Sequence, residues 1–121
     1  MTDFKGLVDR YLGLWNEPDT AARSAGIAAL FAEDATYTDP LADVSGHDGI
    51  HALIGGAREM FPGLRFAPSG AVDGHHDIVR FGWQLVPATG GEPVAVGFDV
   101  ADLTADGRIR AIYGFLDKVP G

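Results

Sequence analysis

The hydrophobic positions change rhythm part-way along this chain. Near the start they recur every three and four residues: Phe4, Leu7, Val8, Tyr11, Leu12 and Trp15. That spacing places one apolar stripe along a helix, with Thr2 or Asp3 as its N-cap. Pro18 follows the expected end, and Asp19 or Thr20 caps a second, alanine-rich helix running from Ala21 to Phe31. A short extended piece, Thr36 to Thr38, comes next. A third helix is expected from Asp48 to Phe61, burying Ile50, Leu53, Ile54, Ala57 and Phe61, and Pro62-Gly63 stops it.

Beyond Gly63 the period becomes two. Leu64 to Asp73, Ile78 to Val86, Val94 to Leu103 and Arg108 to Lys118 read as four strands. Gly90-Gly91 and Asp106-Gly107 supply turns between the last three. Helices followed by an antiparallel meander specify an α+β domain, with the helices covering one face of a curved sheet. A chain of 121 residues suits one domain over 1–121.

Composition narrows the chemistry. With no cysteine there can be no disulfide, thiolate nucleophile or zinc–thiolate site. The same absence fits a reducing cytoplasm, the expected location. A formal charge of −8 without a basic stripe argues against nucleic acid as a partner. The apolar runs are too short to span a membrane, and Met1-Thr2-Asp3-Phe4-Lys5 does not open like a secretory signal.

The glycines add detail. Gly82, Gly97 and Gly114 fall inside expected strands, where glycine marks a bend, a bulge or a close approach. One face of the third strand carries Ala95, Gly97, Asp99 and Ala101; the other carries Val94, Val96, Phe98 and Val100. Small residues beside Asp99 leave volume next to a carboxylate. A cavity between helices and sheet, with an acid in its wall, is the expectation.

Four positions carry candidate chemistry. Pro40 biases Asp39 towards an extended backbone. Asp39 is then either a turn residue capping local amides or a carboxylate at a pocket mouth. Asp99 sits mid-strand among apolar residues, which is uncommon for an acid unless it is paired or functional. Its pairing candidates are Arg80, Arg108 and Arg110. Asp102 is a rival strand acid, but its opposite parity turns it to the other face. Tyr11 lies on an apolar helix face, either as a core tyrosine or as a pocket donor.

Other side chains offer less. His47 and His51 stand four apart, yet no third metal ligand is evident, so they read as helix-surface histidines. His75 and His76 fall at a turn, from which one of them could reach a cavity rim. Serine has no nucleophile-elbow setting, and no glycine-rich phosphate loop is present.

The segments "FAEDATYTDP" and "FDVADLTADGRIRAIYGFLD" resemble SnoaL-like proteins and bacterial ketosteroid isomerases of the nuclear-transport-factor-2-like (NTF2-like) superfamily. The resemblance implies a cone-shaped NTF2-like, or cystatin-like, fold: three N-terminal helices packed on a curved, mainly antiparallel sheet. It places the helix-1 tyrosine of those isomerases on Tyr11, the base on Asp39 and the strand acid on Asp99. The positions of their supporting tyrosines match Phe31 and Ile54, and that of a last-strand tryptophan matches Leu116.

The pocket wall expected from this comparison is Trp15, Phe31, Ile54, Phe61, Trp83, Gly97, Phe115 and Leu116. Neither metal nor organic cofactor is implied. The implied partners are an apolar small molecule, such as a steroid or polyketide, and a second copy of the chain, docked through Val94, Val96 and Phe98.

The implied reaction is proton transfer next to a carbonyl, by a ketosteroid-isomerase-like isomerase or a SnoaL-like polyketide cyclase. Asp39 would be the base, while Tyr11 and a neutral Asp99 would donate hydrogen bonds to the carbonyl oxygen. A non-catalytic module binding an apolar ligand or partner protein is the alternative. An epoxide-hydrolase-like Asp-Arg-Asp site around Arg80 ranks third, because Gly82 stands where its acidic neighbour is expected.

Overall fold

The structure is a computed structural model and describes residues 3–119. Along the chain come α1 (Phe4–Asn16), α2 (Thr20–Leu30), β1 (Phe31–Asp39), β2 (Ala42–Ser45) and α3 (Gly46–Met60). After them follow β3 (Leu64–His75), β4 (Ile78–Pro87), β5 (Ala95–Leu103) and β6 (Ile109–Lys118).

Each of the first two helices begins on an aspartate. Asp3 Oδ1 accepts from the Gly6 amide at 2.9 Å, and Asp19 Oδ2 accepts from the Ala22 amide at 2.8 Å. Thr2, the other cap candidate, lies outside the described residues. The apolar stripe of α1 buries Leu7, Val8, Tyr11, Leu12 and Trp15, together with Leu14. No helix among the described residues is long and apolar enough to cross a membrane.

Six strands form one mixed sheet in the order β2-β1-β6-β5-β4-β3. All neighbours are antiparallel except β1 and β6, which run parallel. The meander from β3 to β6 follows the sequence pattern. The N-terminal half corrects it: two strands separate α2 from α3, so the helices do not all precede the sheet.

Only Thr36 to Thr38 looks extended locally, yet β1 spans nine residues. Its alternation is interrupted at the exposed Glu33-Asp34 pair, and its register against β6 shifts between Phe31 and Thr36. Its parallel partner is β6, so long-range pairing rather than local pattern holds the strand.

The helices pack on one sheet face around Val8, Tyr11, Phe31, Ile54, Phe81, Ile109 and Ile112. The opposite face is largely uncovered. There Phe98 and Phe115 stack at 4.8 Å, while Phe115 stays 49% exposed and Tyr113 45%.

Candidate functional site

Strand alternation builds the first half of the site. On β5, Ala95, Gly97, Asp99, Ala101 and Leu103 point inward, and Asp99 is only 3% exposed. Its Oδ2 accepts from the Tyr11 hydroxyl at 3.2 Å, and its Oδ1 accepts from Trp83 Nε1 at 3.1 Å.

None of the three candidate arginines pairs with it. Arg80 meets Asp73 at 3.6 Å and Arg110 meets Asp102 at 2.8 Å. Arg108 donates to the Ala28 and Phe31 carbonyls at 2.7 Å. The acid therefore rests on two neutral donors. Its pKa is raised to about 6: burial pushes it up, the Trp83 and Tyr11 hydrogen bonds hold it down, and the charge of Asp39 adds a further upward push. Burial, and then the neighbouring Asp99 charge, raises the Tyr11 phenol well above its usual value, which keeps it a neutral donor.

Asp39 forms the second half, at the end of β1. Its Oδ1 accepts from the Leu41 and Ala42 amides, each at 2.8 Å, and its Oδ2 accepts from the Tyr37 hydroxyl at 2.7 Å. The two readings of Asp39 thus coincide: it caps a tight turn and it lines a cavity.

β6 passes between the two acids at Gly114. A Cβ there would lie 2.9 Å from Asp99 Oδ1 and 3.1 Å from Asp39 Cβ. The missing side chain lets both carboxylates occupy the same floor.

Above that floor opens a cavity of about 370 Å³, within the range of small-molecule sites. Tyr11, Trp15, Tyr37, Asp39, Trp83 and Asp99 line its polar end, and Leu53, Ala57, Met60 and Phe61 line the α3 side. Among the described residues, no lysine, arginine or histidine reaches this wall.

Tyr11, Asp39 and Asp99 are brought together, along with Trp15, Phe61, Trp83 and Leu116. Four expected wall residues lie elsewhere. Phe31 is fully buried behind Tyr11, with ring centroids 6.1 Å apart. Ile54 is turned into the core, and Leu53 and Ala57 face the cavity instead. One residue along a helix is a rotation of about 100°, enough to exchange wall for core. Phe115 points to the outer face, opposite Gly114 and Leu116. Gly97 contributes no wall of its own, because the Trp83 indole lies over it.

The remaining candidates stand apart from the cavity. Asp102 is tied to Arg110. Arg80 lies on the exposed pair with Asp73, so the Asp-Arg-Asp arrangement loses its arginine. His47 Nε2 meets the Phe31 and Ala32 carbonyls at 3.1 Å, and His51 Nε2 meets the Thr20 carbonyl at 3.3 Å. His75 and His76 sit exposed at the β3–β4 turn. No group of three metal-ligating side chains converges among the described residues.

Tyr37 is the functional candidate that sequence reasoning missed. It sits two residues before Asp39 on the same strand face, and period two alone could have put them together. Burial raises its phenol, with Asp99 and Asp39 adding to the shift.

Comparisons with known proteins agree with this fold. A SnoaL-like candidate isomerase from Agrobacterium tumefaciens strain C58 shares 42% identity, over 97% of this chain and 99% of its own, with a TM-score of 0.90. An NTF2-like protein of unknown function from Exiguobacterium shares 20% identity over 92% of this chain and 98% of its own, at TM-score 0.71. A candidate polyketide cyclase from Sinorhizobium meliloti shares 18% over 90% of this chain and 93% of its own, at 0.70. These last two likenesses establish the NTF2-like fold alone. No curated protein matches the sequence. The SnoaL-like domain model matches residues 8–112, nearly the whole length, and the chain belongs to that SnoaL-like family.

Proposed function

We propose that this chain is a small-molecule enzyme that moves a proton next to a carbonyl, as an isomerase or a polyketide cyclase. The observation that carries the reading is the meeting of Tyr11, Asp39 and Asp99 in one largely apolar cavity. The two carboxylates there have unlike surroundings. Asp39 accepts three hydrogen bonds at the cavity edge, while Asp99 is buried and pushed up to about 6. Acid–base sites commonly divide their roles in this way.

In the proposed reaction Asp39 takes a proton from the carbon beside the ligand carbonyl. The C–H electron pair moves into a new C=C bond, and negative charge develops on the oxygen. Tyr11 and Asp99, already hydrogen-bonded to each other, form the donor pair for that charge. Asp39 then returns the proton to another carbon of the same ligand, which completes an isomerisation without any co-reactant. Asp99 donates only when protonated, so turnover should fall as pH rises through about 6.

The same reading assigns an apolar, carbonyl-bearing ligand of the steroid or polyketide class. The candidate-isomerase description of the Agrobacterium neighbour, 42% identical, supports the isomerase form of the reaction. A second copy of the chain would cover the Phe98–Phe115 face, and the cysteine-free composition suits the cytoplasm.

A β,γ-unsaturated ketosteroid tests the reaction, with conjugation followed by ultraviolet absorbance. Turnover that Asp39→Asn abolishes is the expected result; turnover that survives the substitution rejects Asp39 as base.

One observation favours a second reading, a non-catalytic binding module. Two backbone amides already hold Asp39 Oδ1, and that capping serves the turn whether or not chemistry occurs. Such a module would bind apolar ketones, would not turn them over, and would retain affinity in Asp39→Asn.

A further inference from the structure

We infer that Trp83 is a positioning residue for Asp99: its indole N–H holds Oδ1, so that a proton taken up by Asp99 resides on Oδ2, facing Tyr11. The inference rests on the proposed donor role of Asp99.

The geometry comes from three positions on adjoining strands. Trp83 on β4 stands directly opposite Gly97 on β5, and Asp99 follows two residues along the same face. A Cβ on Gly97 would lie 2.6 Å from Trp83 Cζ2. The glycine therefore lets the indole lie flat across the strand and reach Asp99 Oδ1 at 3.1 Å.

An indole N–H can only donate. In a neutral carboxyl group the carbonyl oxygen is the stronger acceptor, so the oxygen bound to Trp83 stays C=O. The hydroxyl is left on Oδ2, which lies 3.2 Å from the Tyr11 oxygen. Without ligand Asp99 then donates to Tyr11; with a ligand bound, the O–H groups of Asp99 and Tyr11 both turn to the ligand oxygen.

The opposite placement would waste the proton. Oδ1 is the oxygen nearest the Gly114 gap, on the Asp39 side. A hydroxyl there would be drawn to the other carboxylate and away from the ligand.

The groups facing Asp99 are Tyr11 from α1, Tyr37 and Asp39 from β1, and Trp83 from β4. Gly114 of β6 adds no side chain, and the α3 wall is apolar at Leu53, Ala57 and Met60. Trp83 thus supplies the one donor on the Oδ1 side among the described residues. Loss of that donor removes support from the charged form of Asp99.

NMR of the ligand-free protein tests this directly. The Asp99 carboxyl carbon and the indole N–H signals are followed together from pH 4 to 9. Trp15 and Trp83 are the only two tryptophans, so the two indole signals are readily assigned. The Trp83 N–H signal should move with the Asp99 midpoint, and Trp83→Phe should raise that midpoint by about 1 pH unit. An indole signal indifferent to Asp99, or an unchanged midpoint in Trp83→Phe, overturns the inference. The wild-type indole signal needs no variant, so a poorly folded Trp83→Phe leaves the test in force. Neither readout requires turnover, so its outcome is separable from that of the Asp39→Asn assay.

Discussion

The hydroxyl of Tyr11 donates to Asp99 Oδ2 across 3.2 Å, in a place where neither side chain meets a cation among the described residues. A buried acid held only by neutral donors pays for its charge in stability. The unfolded pKa is near 3.8 and the folded value is raised to about 6. The folded state therefore binds the proton more tightly. The stability linked to that proton is complete below the unfolded value and is lost as pH rises through about 6.

Asp99→Asn should consequently stabilise the protein at pH 8, by about 2–3 kcal/mol. Asparagine keeps an acceptor for Trp83 and offers an N–H to Tyr11. The gain should fade as pH approaches 4. Urea denaturation at the two pH values measures it; an equal effect at both would show that the charge of Asp99 is not what costs stability.

Gly114→Ala should be destabilising by about 1–3 kcal/mol. Its Cβ would press on both Asp99 Oδ1, at 2.9 Å, and Asp39 Cβ, at 3.1 Å. Chemical denaturation reads the loss, and the Asp99 carboxyl resonance should shift because that side chain is the one displaced.

Tyr37→Phe removes the 2.7 Å hydrogen bond to Asp39 Oδ2 and keeps the ring in the wall. A hydrogen bond to a charged group contributes about 1.5–3 kcal/mol. If it orients the base during proton transfer, kcat should fall about tenfold or more, with KM little changed. Steady-state kinetics on the ketosteroid distinguishes this from a binding role, in which KM would rise instead.

Phe115→Lys places a charge on the stacked pair with Phe98, on the face proposed above to dock a second copy. Sedimentation velocity should show the variant as a monomer under conditions in which the native chain is a dimer. A native chain that sediments as a monomer removes the dimer from the proposal.

The cavity residues also show where sequence reasoning stops. Parity was sufficient for Asp99: alternation along β5 turned it inward with Gly97 and turned Phe98 outward. Parity also carried the correct answer for Phe115, which alternates with Gly114 and Leu116, although resemblance had put it in the wall. The same rule links Tyr37 to Asp39, but the broken alternation at Glu33-Asp34 obscured how far β1 extends. For α3 the choice between Ile54 and Leu53 turned on a rotation of about 100°, finer than an apolar stripe defines.

By itself the sequence determined the change from helical to strand period, the last four strands and their turns, and the inward face of β5. Those features rest on side-chain periodicity and turn chemistry, which are local. Tertiary structure alone decided that β1 lies parallel to β6, which brings Asp39 to Gly114 and so to Asp99. It also decided which donors reach each acid: Tyr11 and Trp83 for one, Tyr37 and two turn amides for the other. Burial and hydrogen bonding across distant segments set the protonation of a carboxylate, and no local pattern encodes them.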